Sequence, residues 1–186
     1  MYRIGRSIEG GVRTIGVAVP IPEPWGSQLN TRRAASGDPQ AGRIPPHLTL
    51  LGPTDVAEER LPSIDKHLTR VAEESQAFTL HLRGTGTFRP TNDVVFIAVV
   101  AGISECELLE RQIRAGALQR ELRYPYHPHV TVAHDVDGQI GAEGLDAVFD
   151  DMASFEARFV VRSFTLFEHG QDGRWRPQRD FSLPAS

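Results

Sequence analysis

Two short stretches of this chain share one grammar. "PPHLTLLGP" at 45–53 and "HPHVTVAHD" at 127–135 each set a histidine, an aliphatic residue, a threonine and a second aliphatic residue behind a proline. His47 and His129 are 82 residues apart. The same offset sets Pro46 against Pro128 and Thr49 against Thr131, brings the first strand candidate, "TIGVAVPIP", near "VVFIAVV", and sets "FTLHLRG" opposite "VVRSFTL". At average composition a histidine is followed by aliphatic, Ser/Thr, aliphatic about one time in a hundred. Two such cases among 7 histidines, at matching places in two halves, point to a duplicated unit.

The elements between the motifs repeat in order. "TIGVAVPIP" reads as a buried strand closed by prolines, and "PEPWGSQLNTRRAASGDP" as a helix running into a Gly/Pro-rich loop. Residues 56–76 space Leu61, Ile64, Leu68 and Val71 at three and four, the period of an amphipathic helix. "AFTLHLRGTGTF" and "DVVFIAVV" are strands flanking the turn "RPTND". Ser104 and Glu107 resemble a capping box at the head of a helix carrying Leu108, Leu109, Ile113 and Leu118. After the second motif come a helix from about Ala142 to Phe155, a strand "RFVVRSFTLFEHG" and a last strand around "WRPQRDFSL". The expected fold is α+β and bilobal: two antiparallel-rich sheets face a central groove with helices outside, in one domain whose lobes span roughly 12–93 and 94–183.

In a strand, residues two apart share a face. His47 and Thr49 then present an imidazole and a hydroxyl together while Leu48 and Leu50 anchor the other side, and His129 and Thr131 do the same. Two imidazoles can divide proton removal from proton donation, and hydroxyls can hold the non-bridging oxygens of a phosphate. That chemistry needs no metal and no cofactor. The third match, "HLTR" at His67, falls in the predicted helix, where positions two apart diverge by about 200°; it is assigned to a solvated helix face.

The blocks "HLTL" and "HVTV" resemble the paired motifs of the two-histidine (2H) phosphoesterase superfamily, and their flanks are most similar to its bacterial 2'-5' RNA ligase and cyclic phosphodiesterase branch. The resemblance implies a bilobal fold with the site in its central groove. It implies an enzyme acting on 2',3'-cyclic phosphates of nucleotides or RNA ends, or on 2'-5' linkages by reversible ligation. It marks His47 and His129 as catalytic and Thr49 and Thr131 as substrate-binding. This branch often holds the phosphate with an arginine five residues after the second histidine, and here His134 stands there. Phe88 looks like the aromatic that follows the third strand in this family, a base-stacking residue or a core or hairpin residue, and Arg89 beside it could reach a phosphate.

Other readings stay open. His127, His129 and His134 could be zinc ligands, although no cysteine or carboxylate cluster accompanies them, and His127 otherwise sits at the rim. An RNA- or nucleotide-binding module could use the same groove without turnover. Loop residues 25 to 44 are expected to decide the ligand. Cys106 has no role, and a lone cysteine cannot form an intrachain disulfide. A net charge of -4 disfavours duplex DNA as a partner. "MYRIGRSIEGG" lacks a signal-peptide core and no run is long enough to span a membrane, so a cytoplasmic monomer is expected.

Overall fold

The computed structural model describes residues 11–185. The opening stretch read above for a signal peptide lies, apart from Gly11, outside them. Twelve main elements follow one another: β1 (Val12–Pro20), α1 (Trp25–Ala35), β2 (His47–Ala57), α2 (Leu61–Glu74), β3 (Phe78–Thr87), β4 (Val94–Ala101), α3 (Ile103–Ile113), β5 (His129–His134), α4 (Gly141–Asp151), β6 (Glu156–Val161), β7 (Ser163–His169) and β8 (Trp175–Ser182). Shifting the bounds of β1 by 82 lands on β4, β2 lands on the start of β5, and β3 lands on β7. The duplication read from the two motifs therefore extends through the elements around them.

The α+β class and the bilobal arrangement hold, but the two expected sheets are the wings of one. All eight strands form a curled antiparallel sheet in the order β6-β3-β4-β5-β2-β1-β7-β8. The wings meet at β2 and β5, which pair at one position, Leu48 with Val130. Both residues are fully buried, on the face that carries the common core with Ile64, Leu68, Ile97, Ile113 and Val132. A one-pair joint lets the motif strands diverge and open a groove on the other face. No helix is long and apolar enough to cross a membrane among the described residues.

The boundary expected near residue 93 is not where the sheet divides. β3 and β4 are joined by the short "FRPTND" turn and pair as a hairpin, because consecutive strands with a short connection pack side by side. This draws the third strand of the first repeat into the second wing. β7 takes the vacated place beside β1. The stretch "RFVVRSFTLFEHG", expected as one strand, is accordingly two: β6 pairs with β3 in one wing, and after Arg162 alone the chain enters β7 in the other. Strand ends two residues apart lie within about 7 Å. The outer parts of the two wings therefore approach each other, which is the curl of the sheet. Leu183 and Ala77 close the seam through hydrogen bonds to the Arg162 and Pro184 carbonyls, both 2.8 Å.

Three further expectations move. β2 runs on to Ala57 because Val12 of β1 pairs there, so α2 begins at Leu61 after a 3-10 turn at Glu58–Arg60; Pro62 is accommodated in its first turn. The Ser104 capping box does not form: α3 is capped by Gly102 at φ 90, with no side-chain bond. A Cβ at Gly102 would sit 2.7 Å from the Thr79 carbonyl, so close approach to β3 selects glycine there. The α4 helix ends at Asp151, short of Phe155, and Leu118 falls in a separate 3-10 turn.

Candidate active site

The two motif strands are antiparallel neighbours, so the Leu48–Val130 pair sets the positions around it. His47 falls opposite Thr131 and Thr49 opposite His129, all four facing away from the buried Leu48 and Val130. The histidines occupy one diagonal of this square and the threonines the other. Diagonal neighbours across antiparallel strands have Cα atoms roughly 7–8 Å apart, which leaves room between two rings for a tetrahedral group.

Each imidazole is anchored in the same way. His47 Nδ1 bonds the Pro45 carbonyl at 2.8 Å, and His129 Nδ1 bonds the His127 carbonyl at 2.7 Å. A carbonyl only accepts, so Nδ1 carries the proton and Nε2 keeps its lone pair. The residue between each pair is a buried proline, Pro46 or Pro128, whose fixed φ stiffens the turn that aims the carbonyl at the ring. The proline in each motif thus has a task in orienting the histidine. Tyr126 donates to the Thr49 carbonyl at 2.9 Å and ties the approach to the second motif onto the first.

Both rings are held neutral. Burial pushes the His47 imidazole down to about 4, and the nearby charges of Arg33 and His129 act in the same direction. Burial also lowers His129, and it outweighs the bond to the His127 carbonyl, which favours the cation. Around His129 stand Phe96, at 5.2 Å between ring centroids, and Phe88, edge-on at 4.9 Å and 88°. Phe88 also packs on Phe96 at 4.5 Å, so this aromatic supports the His129 ring from the side, the packing role among the alternatives expected for it.

His134 reaches the site by a route invisible in its spacing. Five residues from His129, it belongs on the opposite face of a regular strand. Phe96 pairs with Thr131 but Val95 with Ala133, so β5 carries an extra residue, and Val132 and Ala133 are both turned into the core. This β-bulge returns His134 to the groove. β2 has its counterpart 82 residues earlier, where Ala18 pairs with Thr49 and Val17 with Leu51, burying Leu50 and Leu51. The cleft beside the diagonal is lined by His47, Thr49, Thr131, His134, Arg33 and Trp175, among others.

Arg89 is committed elsewhere: its guanidinium pairs with Asp146 of α4 at 2.5 Å. His67 is not solvated. It is 7% exposed, and its Nε2 bonds the Ile113 carbonyl at 3.0 Å, linking α2 to α3. His127 stacks on His129 with centroids 6.3 Å apart, and no cluster of three metal-ligating side chains occurs among the described residues. Of the stretch 25–44, residues up to Ala35 are helix α1, and only the remainder is loop.

Sequence reasoning missed Arg33 and Asp38. Arg33 is 5% exposed on the buried stripe of α1 with Gly26 and Leu29, and its i+4 spacing from Leu29 was the available signal. Its Nε bonds Asp38 Oδ2 at 2.7 Å. The same oxygen accepts from the His134 backbone N–H at 3.0 Å, and Oδ1 accepts from the Gln40 N–H at 2.8 Å.

Comparison with known proteins supplies the family and the fold. A "Putative phosphoesterase" of Bacillus cytotoxicus is 30% identical over 146 residues, 78% of this chain and 83% of its own length, and one of Bacillus mycoides matches to the same extent. E. coli LigT, in a crystal structure with NADP+, has a TM-score of 0.70 at 24% identity, covering 93% of this chain and 99% of that one. E. coli LigT with 3'-AMP gives 0.65 at 23%, covering 94% and 99%. With the model of the 2'-5' RNA ligase superfamily matching residues 20–173, across both motifs, the chain belongs to that superfamily of two-histidine phosphoesterases.

Proposed function

We propose that this chain is a metal-independent phosphodiesterase that opens 2',3'-cyclic phosphates of nucleotides or RNA ends. The observation that carries the reading is the matched pair of carbonyl-anchored imidazoles, His47 and His129, diagonal to two threonines in one groove. Membership of a phosphoesterase superfamily supports it, as does the nucleotide seen on E. coli LigT.

Water attacks phosphorus while one imidazole takes its proton through Nε2. The other imidazole, protonated, gives a proton to the departing ribose oxygen as the P–O bond breaks. Thr49 and Thr131 donate to the equatorial oxygens, whose charge grows in the transition state. Both rings are lowered in the free protein, so the acid is made on binding: a phosphate anion raises the pKa of an imidazole beside it. The rings titrate as a coupled pair, and the bound phosphate decides which is protonated. With a ribose 5'-hydroxyl in place of the attacking water, the same transfers open the cyclic phosphate to a 2'-5' linkage as the 3' oxygen departs with the acid's proton.

The test is an assay against 2',3'-cyclic nucleotides in EDTA, scoring 2'- and 3'-phosphate products separately. Turnover is expected to survive chelation with a bell-shaped pH profile. His47→Ala and His129→Ala are each expected to lower it by roughly a hundredfold or more while nucleotide affinity changes much less. Retained binding without turnover in the parent protein would favour a recognition module instead.

A further inference from the structure

One group in the groove is unused by this mechanism. Arg33 is the only arginine or lysine among the described residues lining the cleft with His47, Thr49, Thr131 and His134. Its side chain is 6% exposed and that of its partner Asp38 is fully buried. Only Nε is spent: no hydrogen bond joins either terminal nitrogen to a described residue. Nor are those nitrogens sealed in the interior, because the one solvent-sealed orphan among described side chains is Arg120 Nε. They therefore keep contact with solvent, on a side chain that lines the cleft.

The local charge balance favours an anion there. Asp38 shares its carboxylate among three donors: Arg33 Nε, the Gln40 N–H and the His134 N–H. Its acceptor capacity is directed away from the outer edge of the guanidinium. A buried guanidinium with two unbonded nitrogens is costly unless a ligand completes it, and a planar N–H fork matches two phosphate oxygens. Across the pseudo-twofold, Gly52 occupies the place of His134. The arginine nearest it, Arg120, already spends Nη1 on the Pro53 carbonyl and the Thr54 hydroxyl at 3.1 and 2.8 Å. Arg120 does not line the cleft, so the two sides of the groove are unequal, and Arg33, the only arginine or lysine lining it among the described residues, lies on one.

We infer that Arg33 forms the anion subsite of this cleft, its terminal nitrogens holding the non-bridging oxygens of a phosphate ester placed between the two histidines. Asp38 orients the guanidinium and, through the His134 N–H, fixes it to the end of β5. His134 contributes chiefly its backbone. The assignment rests on reading the groove as a phosphodiester site, but it concerns binding and can be measured without turnover.

The probe is inorganic phosphate, titrated calorimetrically into the folded protein, with kcat/KM for a 2',3'-cyclic mononucleotide measured alongside. Arg33→Lys keeps a cation beside Asp38 but cannot bond carboxylate and phosphate from one planar fork. It is expected to weaken phosphate binding about tenfold or more, and Arg33→Gln further. Adding His134→Arg to Arg33→Gln is expected to recover much of the loss, because the bulge directs that side chain into the same cleft. His134→Ala keeps the N–H that Asp38 accepts. Parental phosphate affinity in Arg33→Lys, or a loss confined to His134→Ala, would overturn the assignment. Arg33-dependent phosphate binding in a protein that opens no cyclic phosphate would sustain the subsite and remove the activity. Undiminished affinity in Arg33→Lys with turnover intact would do the reverse.

Discussion

A neutral imidazole is the unit on which this groove is built, and its neutrality has a consequence for the whole protein. His47 titrates near 6.5 when the chain is unfolded and at about 4 in the fold, because burial disfavours the cation. Between those values the unfolded state binds more protons than the native one. Stability to unfolding therefore falls as pH drops from about 6.5 to about 4 and is restored above that window. Urea midpoints at pH 7 and pH 5 should show this fall, and His47→Gln, which cannot take the proton, should reduce the difference. A parental midpoint equal at both pH values would contradict the burial account. The same property suits the proposed reaction, in which a ring neutral when empty and protonated beside an anion would serve as the acid.

Elements turn these residues toward one another, and the helices do so at a distance. α2 and α3 flank the core behind the motif strands, and His67 ties them by bonding the Ile113 carbonyl from a buried position. Its His-x-Thr spelling matches the motifs, but a helix sends Thr69 elsewhere, to the Asp65 carbonyl of its own turn at 2.9 Å. His67→Ala removes a buried hydrogen bond and leaves the Ile113 carbonyl without it, costing about 1–3 kcal/mol. Thermal unfolding should report that loss, while turnover per folded molecule stays within about twofold of the parent. A catalytic loss comparable to His47→Ala would mean that His67 serves the chemistry after all. Strands carry the finer adjustment. The twin bulges at Leu50/Leu51 and Val132/Ala133 alter which side chains enter the groove without changing a residue of either motif.

The whole molecule is two repeats with their third strands exchanged. Since β3 pairs with β4 and β7 with β1, neither repeat holds a complete wing. A fragment ending at residue 93 keeps β1 and β2 but lacks both β7 and the partners of β3. It should remain unfolded by circular dichroism and amide dispersion, whereas a native-like fold would show the wings to be independent. The repeat, its 82-residue offset and the two His-x-Thr pairs were legible in the sequence alone, because that spacing on a strand places both side chains on one face whatever lies around them. The sequence also carried the class of fold, since strand and helix periods are local properties of the chain. The strand exchange, the entry of His134 and the burial of Arg33 beside Asp38 were decided only in three dimensions. Each depends on which distant segments pair and in what register, and a single residue of shift, as at Ala133, reverses the face of everything after it.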